Sequence, residues 1–300
     1  RMERAKMAFR SIGFIGVGTM GRGMVQNLEK NNFEVLAYSR TKEKILDLAS
    51  EKIKIVDSIE EVGAADVIIT CLPGDGSLNQ VIFHSQLLLK LKNKILVDCG
   101  TTSIEMTQKV AKACEENSID FMDAPITGSK LGAQKGTMTM MMGGKKETFD
   151  ILLPVFEAMG KVHVYCGPTT YGQRAKLALN MAQAMILESY LECLIFGVKN
   201  GVPLEAMEKI MENSGAKSNI GSFKLPYIKK REFEQHFMLK LMHKDMTLAE
   251  NEMKRLGLDL PLAKHIKEIF DHSLHKHGEE DLAAIVKRLE KQAGVELKEQ

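Results

Sequence analysis

Three hundred residues give room for two domains and a sizeable core, and 41 Lys and Arg against 39 Asp and Glu leave a net charge of +2. That balance speaks against a nucleic-acid or membrane-surface binder. The five cysteines (Cys71, Cys99, Cys114, Cys166 and Cys193) form no C-x-x-C pair, and several sit in apolar runs, as buried thiols do in a reducing compartment. The basic start, Arg1 to Lys6, is not followed by a hydrophobic signal core, and no apolar run approaches the roughly 18 residues of a membrane span. A soluble cytoplasmic protein is expected.

The first informative segment is Gly16-Val17-Gly18-Thr19-Met20-Gly21, a G-x-G-x-x-G that follows the apolar run 10–15. Gly16 permits a tight turn, Gly18 lets the backbone approach a pyrophosphate, and Gly21 lets helix and strand pack closely. The helix beginning there points free N–H groups at phosphates. A dinucleotide site is the functional reading, and a plain glycine-rich turn is the bland one. After the next strand, at 34–38, a site selective for NAD would carry Asp or Glu to bond the ribose 2′-OH. The chain instead reads Ser39-Arg40-Thr41. A guanidinium flanked by hydroxyls grips a 2′-phosphate, so NADP(H) is favoured over NAD(H). The alternative is a solvated loop arginine.

Further strands are expected at 67–70, 95–98, 120–122, 137–142 and 162–166, alternating with helical patterns. Such alternation implies a largely parallel sheet covered on both faces. The run after Gly136 need not be parallel, because no helix is expected before it. Met138, Met140, Met141 and Met142 read as core filling on that strand. From Gln173 to Lys199 there is no Pro and one Gly, which predicts one long buried helix. Helical patterns then run to the end, with breaks at Gly201-Val202-Pro203, Gly215, Pro226, Gly257 and Pro261. The polar tail from Glu290 is expected to fray. The fold class is thus an α/β Rossmann-type N-terminal domain, 8–166, followed by an all-α C-terminal domain, 167–300, joined by a long helix.

Lys176 and Asn180 lie four apart on that helix and share a face. A lysine among so many apolar neighbours is paired, snorkels, or loses proton affinity. The last case supplies a general acid/base near neutrality; the second is an ordinary structural lysine. Asp123-Ala124-Pro125-Ile126-Thr127-Gly128-Ser129 reads either as a bare turn or as a loop whose N–H groups and hydroxyls hold a carboxylate. Phe237-x-Leu239-x-Leu241-x-x-Lys244-Asp245 opens an amphipathic helix with an ion pair. His272, His275 and His277 lack ligand spacing to any Cys, Asp or Glu near the motifs, so no metal site is expected.

Taken in order, the glycine loop ending Met20-Gly21-x-x-Met24, the 123–129 loop, Gly167 through Lys176 to Asn180, and Lys244-Asp245 resemble the β-hydroxyacid dehydrogenase family. That family includes 3-hydroxyisobutyrate dehydrogenases, tartronate semialdehyde reductases and glyoxylate/succinic semialdehyde reductases. The resemblance runs from about residue 10 to about 290 and implies an NAD(P)-dependent oxidoreductase of small hydroxy acids. It implies Lys176 as the catalytic acid/base, with Asn180 orienting the substrate hydroxyl or carboxylate. Thr127, Gly128 and Ser129 would bind the substrate carboxylate. Leu72, Pro73, Thr101, Phe237 and Lys244 would line the cofactor together with Gly16, Gly18, Thr19, Met20, Gly21, Ser39, Arg40 and Thr41. A homodimer or homotetramer is implied as well.

The chain departs from the family pattern at Thr170-Tyr171-Gly172, where G-x-G is usual, which puts substrate size in question. Gly128-Ser129-Lys130 looks like the glyoxylate/succinic semialdehyde reductase branch, the within-family alternative. A non-catalytic assembly module is a remote alternative, opposed by the retention of Lys176 and Asn180.

Overall fold

The computed structural model describes residues 9–234 and 236–299. The basic stretch Arg1 to Lys6 and the domain limits at 8 and 300 lie outside them. Nine strands form one sheet: β1 (Ser11–Ile15), β2 (Glu34–Tyr38), β3 (Ile53–Ile55), β4 (Val67–Thr70), β5 (Ile95–Asp98), β6 (Asp120–Asp123), β7 (Ile126–Thr127), β8 (Met138–Gly144) and β9 (Gly160–Gly167). Among them run helices α1 (Thr19–Lys30), α2 (Ile59–Val62), α3 (Asp75–Phe83), α4 (Ile104–Glu116), α5 (Lys130–Lys135) and α6 (Lys146–Met159). The remainder is helical: α7 (Tyr171–Lys199), α8 (Leu204–Glu212), α9 (Asn219–Lys229), α10 (Leu239–Leu256), α11 (Pro261–His277) and α12 (Val286–Ala293). Two compact units divide between Lys176 and Leu177, inside α7.

The first unit shows why continuous apolar runs make strands here. Along β4, Val67 and Ile69 join one core while Ile68 joins the other; along β5, Ile95 and Val97 part from Leu96 in the same way. A period of two with both faces covered requires apolar residues at every position. The order β3-β2-β1-β4-β5-β6 is parallel throughout, so the chain reverses its winding between β1 and β4. Beyond β6 the sheet turns antiparallel: β8 pairs with β6 and β7 in that sense and with β9 in parallel. The expected freedom of the run after Gly136 is therefore realised, but the helix thought to be missing before it exists as the short α5, N-capped by Ser129. Met138, Met140, Met141 and Met142 are all buried in β8. The short strands β3 and β7 carry too few residues for a periodic signal.

In the second unit, Leu187, Tyr190, Leu191 and Leu194 of α7 pack in one core with residues of α9, α10 and α11, among them Ile228, Met242 and Phe270. Two sequence expectations need correction here. Pro226 lies inside α9 and does not end it: the proline is exposed, and buried Lys224, Leu225 and Ile228 hold the helix by packing. The tail from Glu290 is docked, because Arg231 grips the Glu290 carboxylate with two bonds of 2.7 and 2.9 Å and Leu297 is fully buried. A third correction concerns α7 itself. One 18-residue window in it has mean hydropathy 1.4, so it is long and apolar enough to cross a membrane. Its Leu187, Leu191 and Leu194 are spent on a protein core instead.

Candidate active site

The strands from β2 to β6 end in register: Ile15 pairs with Tyr38 and with Thr70, Thr70 with Asp98, and Asp98 with Asp123. This alignment brings the loops at Gly16, Ser39, Cys71 and Gly100 to one edge of the sheet, the carboxyl edge where ligands bind in such folds. The expected residues Gly16 to Gly21, Ser39, Arg40, Thr41, Leu72, Pro73 and Thr101 all fall there. Ser39 is half-buried, and Arg40 and Thr41 are exposed.

The glycine loop has the shape an anion needs. Gly16 holds φ +100°, and a Cβ on it would come 2.3 Å from the Cys71 carbonyl oxygen. A Cβ on Gly21 would come 2.3 Å from the Gly16 carbonyl oxygen, whereas one on Gly18 would meet nothing within 4 Å. Gly16 and Gly21 are therefore demanded by the fold, but Gly18 is not; its bareness leaves room for something outside the chain. Gly18 is also the N-cap of α1, with no side chain capping it and no acidic residue in the first turn. The uncapped N–H groups and helix dipole suit a pyrophosphate.

Behind that edge lies a buried polar network within the first unit. The Asp98 carboxylate accepts from Thr70 Oγ1 at 2.8 Å and the Gly100 amide at 3.1 Å. The Gln173 amide group joins this loop to α7: Nε2 donates to the Gly100 carbonyl at 2.8 Å, and Oε1 accepts from the Thr102 amide at 3.2 Å. Asp123, fully buried at the end of β6, accepts from the Thr170 amide at 2.7 Å and the Gln173 amide at 2.8 Å. It thereby satisfies donors at the N-terminal end of the helix that carries Lys176. Burial pushes its carboxyl up to about 6, with the two amides pulling the other way. Sequence reasoning named no role for Asp98, Gln173 or Asp123. The available signal was a carboxylate closing each of two apolar strands.

Lys176 and Asn180 are both buried, 6 % and 1 % exposed, and stand one turn apart on α7. In the 123–129 segment Thr127 is half-buried, Gly128 holds φ +140° and is exposed, and the Ser129 hydroxyl oxygen accepts from the Gly132 amide. In the second unit, Asn180 Nδ2 donates to Asp245 Oδ2 at 2.5 Å, and Lys244 Nζ lies 2.8 Å from Asp245 Oδ1. Phe237 is held through its backbone, its N–H donating to Asp281 Oδ2 at 3.0 Å and its carbonyl accepting from the Leu282 amide at 2.8 Å. Asp281 also holds the Lys224 ammonium at 2.6 Å, a buried pair that no local spacing reveals.

The sequence profile of the NAD binding domain of 6-phosphogluconate dehydrogenase matches residues 11–167. The profile of the NAD-binding domain of NADP-dependent 3-hydroxyisobutyrate dehydrogenase matches residues 170–289. The 2-(hydroxymethyl)glutarate dehydrogenase of Eubacterium barkeri is 32 % identical over 95 % of this chain and 96 % of its own. The 2-hydroxy-3-oxopropionate reductase of Escherichia coli is 30 % identical over 95 % of this chain and 99 % of its own. The solved 3-hydroxyisobutyrate dehydrogenase of Mycobacterium tuberculosis, with L-serine, superposes with a TM-score of 0.85 at 25 % identity, covering 94 % of this chain and 99 % of that one. The chain belongs to the β-hydroxyacid dehydrogenase family and is an NAD(P)-dependent oxidoreductase.

Proposed function

We propose that this chain interconverts a small 3-hydroxy acid and the matching semialdehyde with NADP(H), in the manner of a 3-hydroxyisobutyrate dehydrogenase. The observation that carries the reading is a buried lysine on an apolar helix, Lys176, with buried Asn180 on the next turn. When bound, the nicotinamide takes or gives the hydride at C4. Lys176 Nζ takes the substrate hydroxyl proton during oxidation and returns one during reduction, a contribution of about 10²–10⁴ in rate. Asn180 orients the substrate hydroxyl or carboxylate. Thr127, Gly128 and Ser129 hold the carboxylate through hydroxyls and backbone N–H, which fixes the carbon presented for hydride transfer. Gly16, Gly18, Thr19, Met20 and Gly21 hold the pyrophosphate, while Leu72, Pro73, Thr101, Phe237 and Lys244 line the rest of the cofactor.

NADP(H) preference rests on the exposed Arg40 between Ser39 and Thr41, with no carboxylate at that place to repel a 2′-phosphate. In this reading residues 8–166 bind the cofactor, and 167–300 serve the substrate and assembly into a homodimer or homotetramer. Free thiols at all five cysteines fit a cytoplasmic setting. A glyoxylate/succinic semialdehyde reductase is the second reading, favoured by Gly128-Ser129-Lys130.

The test is initial-rate nicotinamide absorbance with NADPH and NADH against glyoxylate and the succinic, methylmalonic and tartronic semialdehydes, with 3-hydroxyisobutyrate run in reverse. Lys176→Ala should abolish turnover with every active substrate, and Arg40→Glu should weaken NADPH far more than NADH. Residual turnover near wild type in Lys176→Ala rejects the lysine's role. Equal losses for the two cofactors in Arg40→Glu reject the preference.

A further inference from the structure

The sheet ladder ends with β5 at Asp98, and the loop that follows brings two buried backbone groups with it, the Gly100 carbonyl and the Thr102 amide. Gln173, wholly buried on α7, satisfies both: Nε2 donates to the carbonyl at 2.8 Å and Oε1 accepts from the amide at 3.2 Å. One orientation of the side-chain amide does this, so Gln173 stands in for a strand that the sheet lacks there. From the other side, Asp98 accepts from the Gly100 amide at 3.1 Å and from Thr102 Oγ1 at 3.4 Å. Thr101 therefore stands between two clamped neighbours. A Cβ on Gly100 would come 2.7 Å from the Leu72 carbonyl oxygen, so the same loop abuts the Leu72 turn. Gln173 is fixed at its own backbone too, its N–H donating to Asp123 Oδ2 at 2.8 Å, and Lys176 follows one turn later on the same face of α7.

We propose that Gln173 is a positioning residue: it holds the Thr101 loop, which lines the cofactor, against the turn of α7 that carries Lys176, so that hydride transfer and proton transfer share one frame. The inference rests on the reaction proposed above. A loop whose buried carbonyl and amide have lost their partners moves to find others. A misplacement of about 1 Å between reacting groups costs about 100-fold in rate.

Two substitutions test it. Gln173→Met keeps length and volume but removes both bonds. Gln173→Glu keeps an acceptor for Thr102 and regains a donor for Gly100 only while its carboxyl is protonated. Burial raises that carboxyl, as do Asp98, Asp123 and, behind Ser103, Asp75, while the Lys176 ammonium one turn on pulls it down. Cys71 and Cys99 stay protonated, since burial pushes both thiols up. With 3-hydroxyisobutyrate and NADP, or the panel substrate that turns over fastest, Gln173→Met should lower kcat by about 10-fold or more at every pH, with the substrate KM within about twofold. Gln173→Glu should match it at about pH 8 and recover by about fivefold or more at about pH 6, each rate taken relative to wild type at the same pH. That ratio removes the titration of Asp123, which all three proteins share. Rates within about twofold of wild type in Gln173→Met, a raised KM with kcat unchanged, or a Gln173→Glu ratio that ignores pH each overturns the proposal.

Thermal midpoints and circular dichroism at each pH give the folded fraction. A wild-type kcat per folded molecule in the variants means a role in folding alone and overturns the proposal. Should Gln173→Met not fold, Gln173→Glu against wild type at the two pH values decides by itself. Fluorescence titration with NADPH separates the proposal from the reaction. Release of the Thr101 loop should weaken NADPH by about fivefold or more in Gln173→Met, with Gln173→Glu regaining affinity on acidification; unchanged affinity overturns the proposal. A panel without turnover beside that binding pattern rejects the proposed reaction and leaves the positioning of the loop standing. Wild-type rates in Gln173→Met beside an inactive Lys176→Ala do the reverse.

Discussion

Thr170 holds φ +80°, a left-handed backbone that β-branched residues rarely adopt, and it does so just ahead of α7 where the family usually has glycine. The turn is kept because its amide is tied to Asp123 Oδ1 at 2.7 Å. A threonine is therefore held in this left-handed turn at the expense of local strain of about 1–3 kcal/mol. Comparing two truncations isolates that strain. Thr170→Gly and Thr170→Ala lose nearly the same side chain, but only glycine relieves the backbone. Thr170→Gly should be the more stable of the two by about 1 kcal/mol in urea unfolding, the reverse of the order found in ordinary backbone. An alanine variant as stable as the glycine variant would show that position 170 carries no strain.

At the scale of elements, the β1–α1 turn separates what folding needs from what a ligand needs. Gly16 combines φ +100° with a Cβ path blocked at 2.3 Å, while Gly18 has an extended backbone and open space where a Cβ would stand. Gly18→Ala should leave Tm within about 2 °C of wild type while weakening NADPH by about 10-fold or more, because the methyl group occupies the phosphate's place. Gly16→Ala should instead destabilise the fold by about 2 kcal/mol or more. Fluorescence titration with NADPH beside thermal unfolding checks both. Unchanged NADPH affinity in Gly18→Ala would remove the phosphate from this turn. Other elements depend on one another in the same way: the start of α7 is held by a carboxylate at the end of β6, and the 100–102 loop after β5 is held by Gln173 of α7.

For the whole molecule, pH is the variable that reaches both units. Burial raises Asp123 to about 6 in the first unit, and in the second it raises Glu188 to about 7 against the pull of Arg288. Unfolded carboxyls titrate near 4, so on raising the pH the unfolded chain releases these protons first. Stability therefore falls between about pH 4 and about pH 7, by about 3 kcal/mol per group, and the loss is complete above that. Asp66, Asp271 and Glu280 are shifted the other way and cost stability only as pH falls below about 4.5. Unfolding free energies at pH 5 and pH 8 should decline in the wild type and decline less in Glu188→Gln. Equal declines in the two proteins would show that Glu188 ionises normally.

Features whose cause lies within a short window of chain are legible in the amino-acid sequence alone. The glycine turn, the apolar runs of β1, β2, β4 and β5, and the long unbroken α7 each follow from local sterics or periodicity, and Lys176 stands out because a charge on an apolar helix is conspicuous. The helix α5 and the strands β3 and β7 escape because two to six residues are too few to show a period. Pro226 misleads because packing outweighs a single propensity. What only the tertiary structure decided were the polar pairings across distance: Asp123 with the start of α7, Gln173 with the 100–102 loop, Lys224 with Asp281, and Asn180 with Asp245. No local spacing encodes these contacts, since each joins residues dozens of positions apart. They are fixed because a buried polar group without a partner is costly, and the partner it takes is whatever the fold has brought beside it.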